Sequence, residues 1–311
     1  MSAASALSAK FFHDEAAAFE KLESIVWPQG PVCPHCGSMS RITRVKGGRI
    51  GLRRCGDCKK QFTATVKTVF ESSHVKLHLW LQAAHLICSS KKGFSAHQLH
   101  RTLGVTYKTA WFMLHRLRAA MASGGLAPLG GDGKVVEADE TYQGVKDEVG
   151  HRTIRGKPGL ASKRTVVALV ERGGSVRSFH VDRATKAVVT DIVRANVSRE
   201  AELHTDESKL YGVVKGHVAA HFQVNHKAGQ YVDRGVTTNT IEGVFSIFKR
   251  GMKGVYQHCG EKHLHRYLAE FDFRYNHRLA LGVGDKERTG RALMGIVGKR
   301  LTYRDSSAGH G

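Results

Sequence analysis

The run Val135-Val-Glu-Ala-Asp139, continued by Glu-Thr-Tyr142, reads as a short β-type segment closed by an acidic residue. A second such run, Leu203-His-Thr205, is closed by Asp206. Glu242 then opens an amphipathic helix, with thirty-five residues between it and Asp206. Carboxylates gathered from two strand ends and one helix can hold a pair of divalent cations. Two such ions clamp the attacking and leaving oxygens of an in-line displacement on a phosphodiester.

The segments around these acids set the expected fold. A loop of small residues from Ser123 to Gly133 marks a boundary, and beyond it the pattern turns strand-like at Val135–Asp139, Thr165–Val170 and Val176–Val181. A helical segment around Lys186–Asn196 follows, and then the strand ending at Asp206. Three strands, a helix and a further strand is the order of an RNase H-like core, an α/β fold whose mixed sheet is flanked by helices. Its first and fourth strands run side by side, which would bring Asp139 and Asp206 together.

Each acid also has a simpler reading. Asn239-Thr-Ile-Glu242 has the pattern of a capping box, and Asp206 is placed to cap a turn at Glu207–Tyr211. Beyond capping, Ile241, Val244, Phe245, Phe248 and Met252 form one apolar stripe, with Glu242, Ser246, Lys249 and Lys253 on the opposite face. Lys249 then lies two turns beyond Glu242, where a cation suits a phosphate; a plain solvated face is the alternative. Glu137 and Glu140 flank Asp139, and Glu137, sharing its strand parity, is the rival ligand. His204 shares a face with Asp206 and reads as a structural histidine. Gly144–Lys163, with five Lys/Arg, reads as a basic, mobile insertion suited to DNA.

Four of six cysteines form Cys33-x2-Cys36 and Cys55-x2-Cys58, a two-knuckle spacing that gives zinc four thiolates. Disulfides are the alternative, disfavoured by the absence of an export signal and a reducing cytosol. Pro34, Gly37 and Gly56 suit the tight turns. Between Pro31 and Val66 stand Arg41, Arg44, Lys46, Arg49, Arg53, Arg54, Lys59 and Lys60 against the single acid Asp57. Cys88 and Cys259 read as core residues in apolar helical patterns. Residues 74–122 are helical in period: Ser95 caps a short helix bearing Leu99, Gly104 makes a turn, and Thr106 caps a longer helix containing Ala110, Met113, Leu114 and Leu117. This is the helix-turn-helix plan, with Tyr107, Lys108 and Arg116 on faces suited to DNA.

A net charge of +21 over 311 residues, with a pI near 9.9, is costly in self-repulsion unless a polyanion absorbs it. No apolar run of membrane-spanning length exists, and the N-terminus shows neither export nor transit pattern. The expectation is a cytoplasmic protein associated with the nucleoid. Its divisions are a helical segment at 1–30, a zinc ribbon at 31–66, a helix-turn-helix-like region at 74–122, a linker at 123–133, an RNase H-like domain at 134–280, and a basic segment with a tail at 281–311.

The blocks A-D-E-T-Y-x-G from Ala138, H-T-D-E-S-x-x-Y from His204, N-T-I-E-G-x-x-S-x-x-K-R-G-x-x-G-V-Y from Asn239 and E-F-D-F-R-Y-N-x-R from Glu270 resemble a bacterial insertion-sequence transposase. The group is the DDE type, with an N-terminal zinc ribbon and an RNase H-like catalytic domain, and the resemblance covers roughly residues 20–280. It implies Asp139, Asp206 and Glu242 as catalytic triad and magnesium ligands, Lys249 as the accompanying basic residue, and a structural zinc on Cys33, Cys36, Cys55 and Cys58. Mg²⁺ is the implied catalytic ion, with Mn²⁺ able to substitute. Element ends and target DNA are the implied partners, engaged by a homo-oligomer on DNA. One departure is visible: related sequences often carry His-Thr-Asn where this chain reads Thr237-Thr238-Asn239. Two other functions remain open, a ribbon and helix-turn-helix transcription factor, and an RNase H-like nuclease that cleaves without joining strands.

Overall fold

A computed structural model describes residues 5–122, 124–147, 159–224 and 235–302. The chain divides into two compact units, Met1–Ala122 with Gly282–Gly311, and Ser123–Leu281.

In the first unit, Asp14 accepts a hydrogen bond from the Ala17 amide at 2.8 Å and so starts helix α1 (Glu15–Val26). Strands β1 (Ile42–Arg44), β2 (Arg53–Cys55) and β3 (Gln61–Phe62) form a small antiparallel sheet. Helix α2 (Leu77–Ser89) lacks a cap of its own: the Glu15 carboxylate takes the Leu77 and His78 amides at 2.8 and 3.2 Å. Helix α3 (Ala96–Leu103) begins with a full capping box between Ser95 and Gln98 and ends at Gly104, whose φ of 66° favours glycine. Thr106 caps α4 (Tyr107–Met121), and Leu99, Ala110, Met113, Leu114 and Leu117 are buried as their spacing requires.

The expected DNA-facing role of Arg116 does not survive. Its side chain is buried and donates to the carbonyls of Leu301, Val69 and Glu71 at 2.9–3.0 Å, tying two separate backbone segments to α4. Tyr107 and Lys108 do face outward. The basic stretch expected at 281–311 contains a helix, Asp285–Met294, which packs on α2. Arg288 secures it by donating to the Cys88 and Val283 carbonyls. The tail after Arg304 lies outside the described residues.

The second unit is built on β4 (Val135–Val145), β5 (Lys163–Glu171), β6 (Val176–Val181), then helix α5 (Lys186–Asn196), β7 (Glu202–Asp206) and β8 (Ala220–Val224). The strand order is β6-β5-β4-β7-β8. The β4–β5 and β5–β6 pairs are antiparallel, and β7 runs parallel to both β4 and β8. The first and fourth strands are therefore neighbours, as expected of this topology. Strand β8 had no distinct signal in the sequence.

Strand β5 is buried along nearly its whole length, and its run Val166–Val170 is wholly apolar, because both faces are covered. Val167 and Leu169 pack with Val189 and Val193 of α5, whereas Val166, Ala168 and Val170 pack beneath helices α6 (Asn239–Gly251) and α7 (Leu264–Asn276). The α6 stripe of Ile241, Val244, Phe245, Phe248 and Met252 is buried on this second face. Burial of each large side chain contributes about 1.5–3 kcal/mol, enough to fix which way the helix faces. Helix α7 also closes the β6 edge: the Val176 and Ser178 amides donate to Asn276 and Asp272, each at 2.7 Å.

Two local expectations change. Asp139 does not close its strand, because β4 continues for six residues through antiparallel pairing with β5. Cys259 is not helical; it sits after a π-helical turn at Met252–Tyr256, partly buried against the core. Of the basic insertion, residues 148–158 lie outside the described residues, and Lys146 at its start pairs with Asp182. No described helix is long and apolar enough to cross a membrane.

Candidate active site and zinc cluster

Parallel pairing of β4 with β7 sets Val135 against Glu202 and Glu137 against His204. Two residues further along, Asp139 and Asp206 stand level on adjacent strands, just where that pairing ends. Helix α6 brings Glu242 to the same region. The Asp139 carboxylate accepts from the Glu140 amide at 2.7 Å, and Asp206 accepts from the Ser208 amide at 3.0 Å. Ser208, rather than Asp206, caps the following 3-10 turn, Lys209–Val214.

The electrostatics report the convergence. Burial, and then the charges of Glu140, Asp206 and Glu242, push the Asp139 carboxyl up to about 7. Burial and Asp206 raise Glu140 as well, although the Tyr211 hydroxyl donates to it at 3.1 Å. Such mutual repulsion is what a divalent cation with oxygen ligands would relieve, so the residues fit that group. The three carboxylates are nevertheless not gathered as tightly as the cysteines described below. Among the described residues, the one set of three or more candidate ligands with all ligand atoms within 4.8 Å is the cysteine set.

Glu137, the rival ligand from the sequence, is committed elsewhere. It is 0% exposed; one oxygen accepts from Arg172 Nε at 2.7 Å and Thr240 Oγ1 at 3.0 Å, and the other from the Ile241 amide at 3.0 Å. The expected capping box at Asn239 is accordingly absent. Asn239 is the first helical residue, Thr238 at the cap makes no side-chain cap bond, and Glu137 serves the helix end from β4. Glu242 instead accepts from the Thr238 hydroxyl at 3.2 Å; it is exposed, as are Ser246, Lys249 and Lys253 on the same polar face. His204 is buried, and its Nδ1 accepts from Arg172 at 3.0 Å, a structural placement. Sequence reasoning missed Arg172, and although Tyr211 closes the H-T-D-E-S-x-x-Y block, nothing in that block signals its partner Glu140.

In the ribbon, the Sγ atoms of Cys33, Cys36, Cys55 and Cys58 all lie within 4.8 Å of one another, with Cys33–Cys58 at 3.6 Å and Cys36–Cys55 at 3.7 Å. A tetrahedron with metal–sulfur bonds of about 2.3 Å has edges of about 3.8 Å, so the set fits zinc. The Cys58 backbone amide, foremost, draws the Cys55 thiol down to about 7. Gly37 follows the first knuckle with φ 78°, but in the second Lys59 takes the left-handed position at 62°. Gly56 is instead needed for close approach: a Cβ there would meet the Arg41 carbonyl oxygen at 2.9 Å. Arg41 pairs with Asp57, and Arg44 and Arg53 with Glu23, while Lys46, Arg49, Arg54, Lys59 and Lys60 are exposed.

Comparison with known proteins gives three findings. Residues 128–276 match the ISXO2-like transposase domain, and residues 13–61 match the transposase zinc-ribbon domain. A protein of Halobacterium salinarum described as an uncharacterized protein in transposable element ISH50 is 29% identical over 281 residues, 85% of this chain and 92% of that one. Among solved structures, a simian T-cell lymphotropic virus intasome in complex with PP2A regulatory subunit B56 gamma matches 49% of this chain and 55% of that one, at 15% identity and a TM-score of 0.24.

Proposed function

We propose that this chain, matched by the ISXO2-like transposase domain over residues 128–276 and by the transposase zinc-ribbon domain over residues 13–61, is an enzyme that binds the terminal inverted repeats of its element, cleaves a phosphodiester at each end and joins the freed 3′ ends to target DNA. The observation that carries the reading is the convergence of Asp139, Asp206 and Glu242 from β4, β7 and α6, felt by Asp139 as a carboxyl raised to about 7.

Asp139, Asp206 and Glu242 would hold Mg²⁺, with Mn²⁺ able to substitute, because hard carboxylate oxygens suit both. When bound, such ions supply positive charge to the attacking and leaving oxygens of an in-line displacement. In the first displacement a water oxygen bonds to phosphorus while the bond to the 3′ oxygen breaks, leaving a 3′-hydroxyl. In the second, that hydroxyl attacks a target phosphodiester, and one P–O bond forms as another breaks. Neither step needs a covalent enzyme intermediate, so no Ser or Tyr nucleophile is invoked. Lys249, exposed on the Glu242 face of α6, would bind a phosphate beside the reacting one.

The exposed ribbon cations Lys46, Arg49, Arg54, Lys59 and Lys60, with Tyr107 and Lys108 on α4, support DNA recognition by the N-terminal part of the chain. Two element ends per event favour a homo-oligomer assembled on DNA, in the nucleoid of the cytoplasm. The test is incubation of purified protein with labelled element ends, a target plasmid and Mg²⁺. Joined end–plasmid products are expected. Cleaved ends without joined products would indicate a nuclease, and binding without cleavage a transcription factor.

A further inference from the structure

Arg172 touches the two strands that carry Asp139 and Asp206 and the segment that leads into α6. Its Nε donates to Glu137, two residues before Asp139 on β4, at 2.7 Å. One terminal nitrogen donates to His204 Nδ1, two residues before Asp206 on β7, at 3.0 Å, and to the Thr237 carbonyl at 2.8 Å. The other donates to the Gly235 carbonyl at 3.1 Å, so Arg172 holds the segment leading into α6 at two points. Glu137 completes the arrangement by accepting from Thr240 Oγ1 and from the amide of Ile241, the residue immediately before Glu242.

We propose that Glu137 and Arg172 form a clamp that sets the separation of Asp139, Asp206 and Glu242, making both of them positioning residues for the divalent-ion site. The proposal rests on the reading of those three acids as ligands. Three observations favour a positioning role over simple stabilisation. First, Glu137 takes the Ile241 amide and the Thr240 hydroxyl while Thr237 takes the Asn239 amide, so the start of the helix is registered against β4 as well as against its own side chains. Second, the rigid path from Asp139 to Glu242 runs through one fully buried carboxylate whose two oxygens each face a different part of the helix. Third, the guanidinium uses its planar fork to join two parallel strands and the approach to α6, a geometry that a lysine ammonium does not reproduce. Groups that orient metal ligands from behind typically change metal affinity or activity by about 10–100-fold when altered.

The test measures Mn²⁺ binding to the zinc-loaded full chain by the electron paramagnetic resonance signal of free Mn²⁺, alongside cleavage of labelled ends. Glu137→Gln and Arg172→Lys are expected to weaken Mn²⁺ binding about tenfold or more. Cleavage should fall and be partly restored by raised Mn²⁺, with binding to element ends unchanged. Because Glu137→Gln leaves a charged arginine without its partner, the double variant Glu137→Gln/Arg172→Gln removes both charges and separates positioning from loss of folding. A purely structural pair would lower the melting temperature without moving the Mn²⁺ concentration at half saturation. Wild-type Mn²⁺ affinity in the folded double variant and in Arg172→Lys, with Asp139→Asn and Asp206→Asn deficient, overturns the clamp alone. Wild-type affinity in the two aspartate variants as well overturns the ligand reading on which the clamp depends.

Discussion

Asp206 ends β7 level with Asp139 on the neighbouring parallel strand β4, two residues beyond the pairing of Glu137 with His204. Asp139 is mid-strand, yet it stands where β7 pairing stops and β5 pairing continues. The two aspartates thus sit where the central strands β4 and β7 part while each keeps its outer pairing, Asp139 with Ala168 and Asp206 with Val224, and the backbone itself sets their spacing.

The ribbon should carry one zinc per chain. With Cys33, Cys36, Cys55 and Cys58 clustered within 4.8 Å and only short strands around them, the metal supplies much of the folding free energy there. Metal analysis of protein purified without added zinc is expected to give a stoichiometry near one, falling in Cys33→Ser. A value near zero, with ribbon amides still protected from hydrogen exchange, contradicts this.

Arg116→Met should destabilise the first unit rather than weaken DNA binding specifically. The substitution strips hydrogen bonds from the Val69, Glu71 and Leu301 carbonyls, at a cost of about 1–3 kcal/mol for each one left buried and unpaired. Chemical denaturation should show the loss, while the salt dependence of end binding for the folded fraction stays at the wild-type slope. A slope lowered by about one instead marks a phosphate contact.

Asp272 gives the second unit a stability that falls with rising pH. Burial raises its carboxyl to about 7, against an ordinary value of 3.8, despite hydrogen bonds with Ser178. A raised acid stabilises the fold fully below its unfolded pKa, and that contribution is lost as pH rises through about 7. An amide preserves the bonds to the Ser178 amide and hydroxyl, so Asp272→Asn should flatten this component. The wild-type-minus-variant difference in unfolding free energy should decline by up to about 4 kcal/mol between roughly pH 4 and pH 7. A pH-independent difference contradicts the assignment.

Lys249→Ala should reduce cleavage and lower the salt slope of end binding by about one unit while leaving Mn²⁺ binding intact. Seven residues separate it from Glu242, about 10 Å along the helix, so it reaches a neighbouring phosphate rather than the ions. Lys249→Arg should keep part of the activity, since its charge survives. Silence of both substitutions makes Lys249 a surface charge.

Periodicity made α6 legible in sequence: five apolar residues at helical spacing became the buried face, and Glu242, Ser246 and Lys249 the exposed one. The cysteine spacing was equally direct, because two residues between ligands are dictated by a tight turn. What stayed hidden depends on partners distant in sequence. Glu137 looked like a ligand because strand parity is local, whereas its acceptors' donors are Arg172, Thr240 and Ile241, up to 104 residues away. Arg116 sat on a helix face that the Val69–Glu71 and Leu301 segments cover, and no pattern in α4 announces that cover. The left-handed Lys59 shows the same limit: its conformation is imposed by the knuckle, not by its residue type.

The most direct test of the central claim compares wild type with Asp139→Asn, Asp206→Asn and Glu242→Gln in the strand-joining assay, with end binding measured on the same preparations. Amides bind divalent ions too weakly to replace carboxylates at these positions. Each variant is expected to bind labelled ends with near wild-type affinity and to yield neither cleaved nor joined products in Mg²⁺. Near wild-type cleavage by any one of the three removes that residue from the site, and retention by all three contradicts the account.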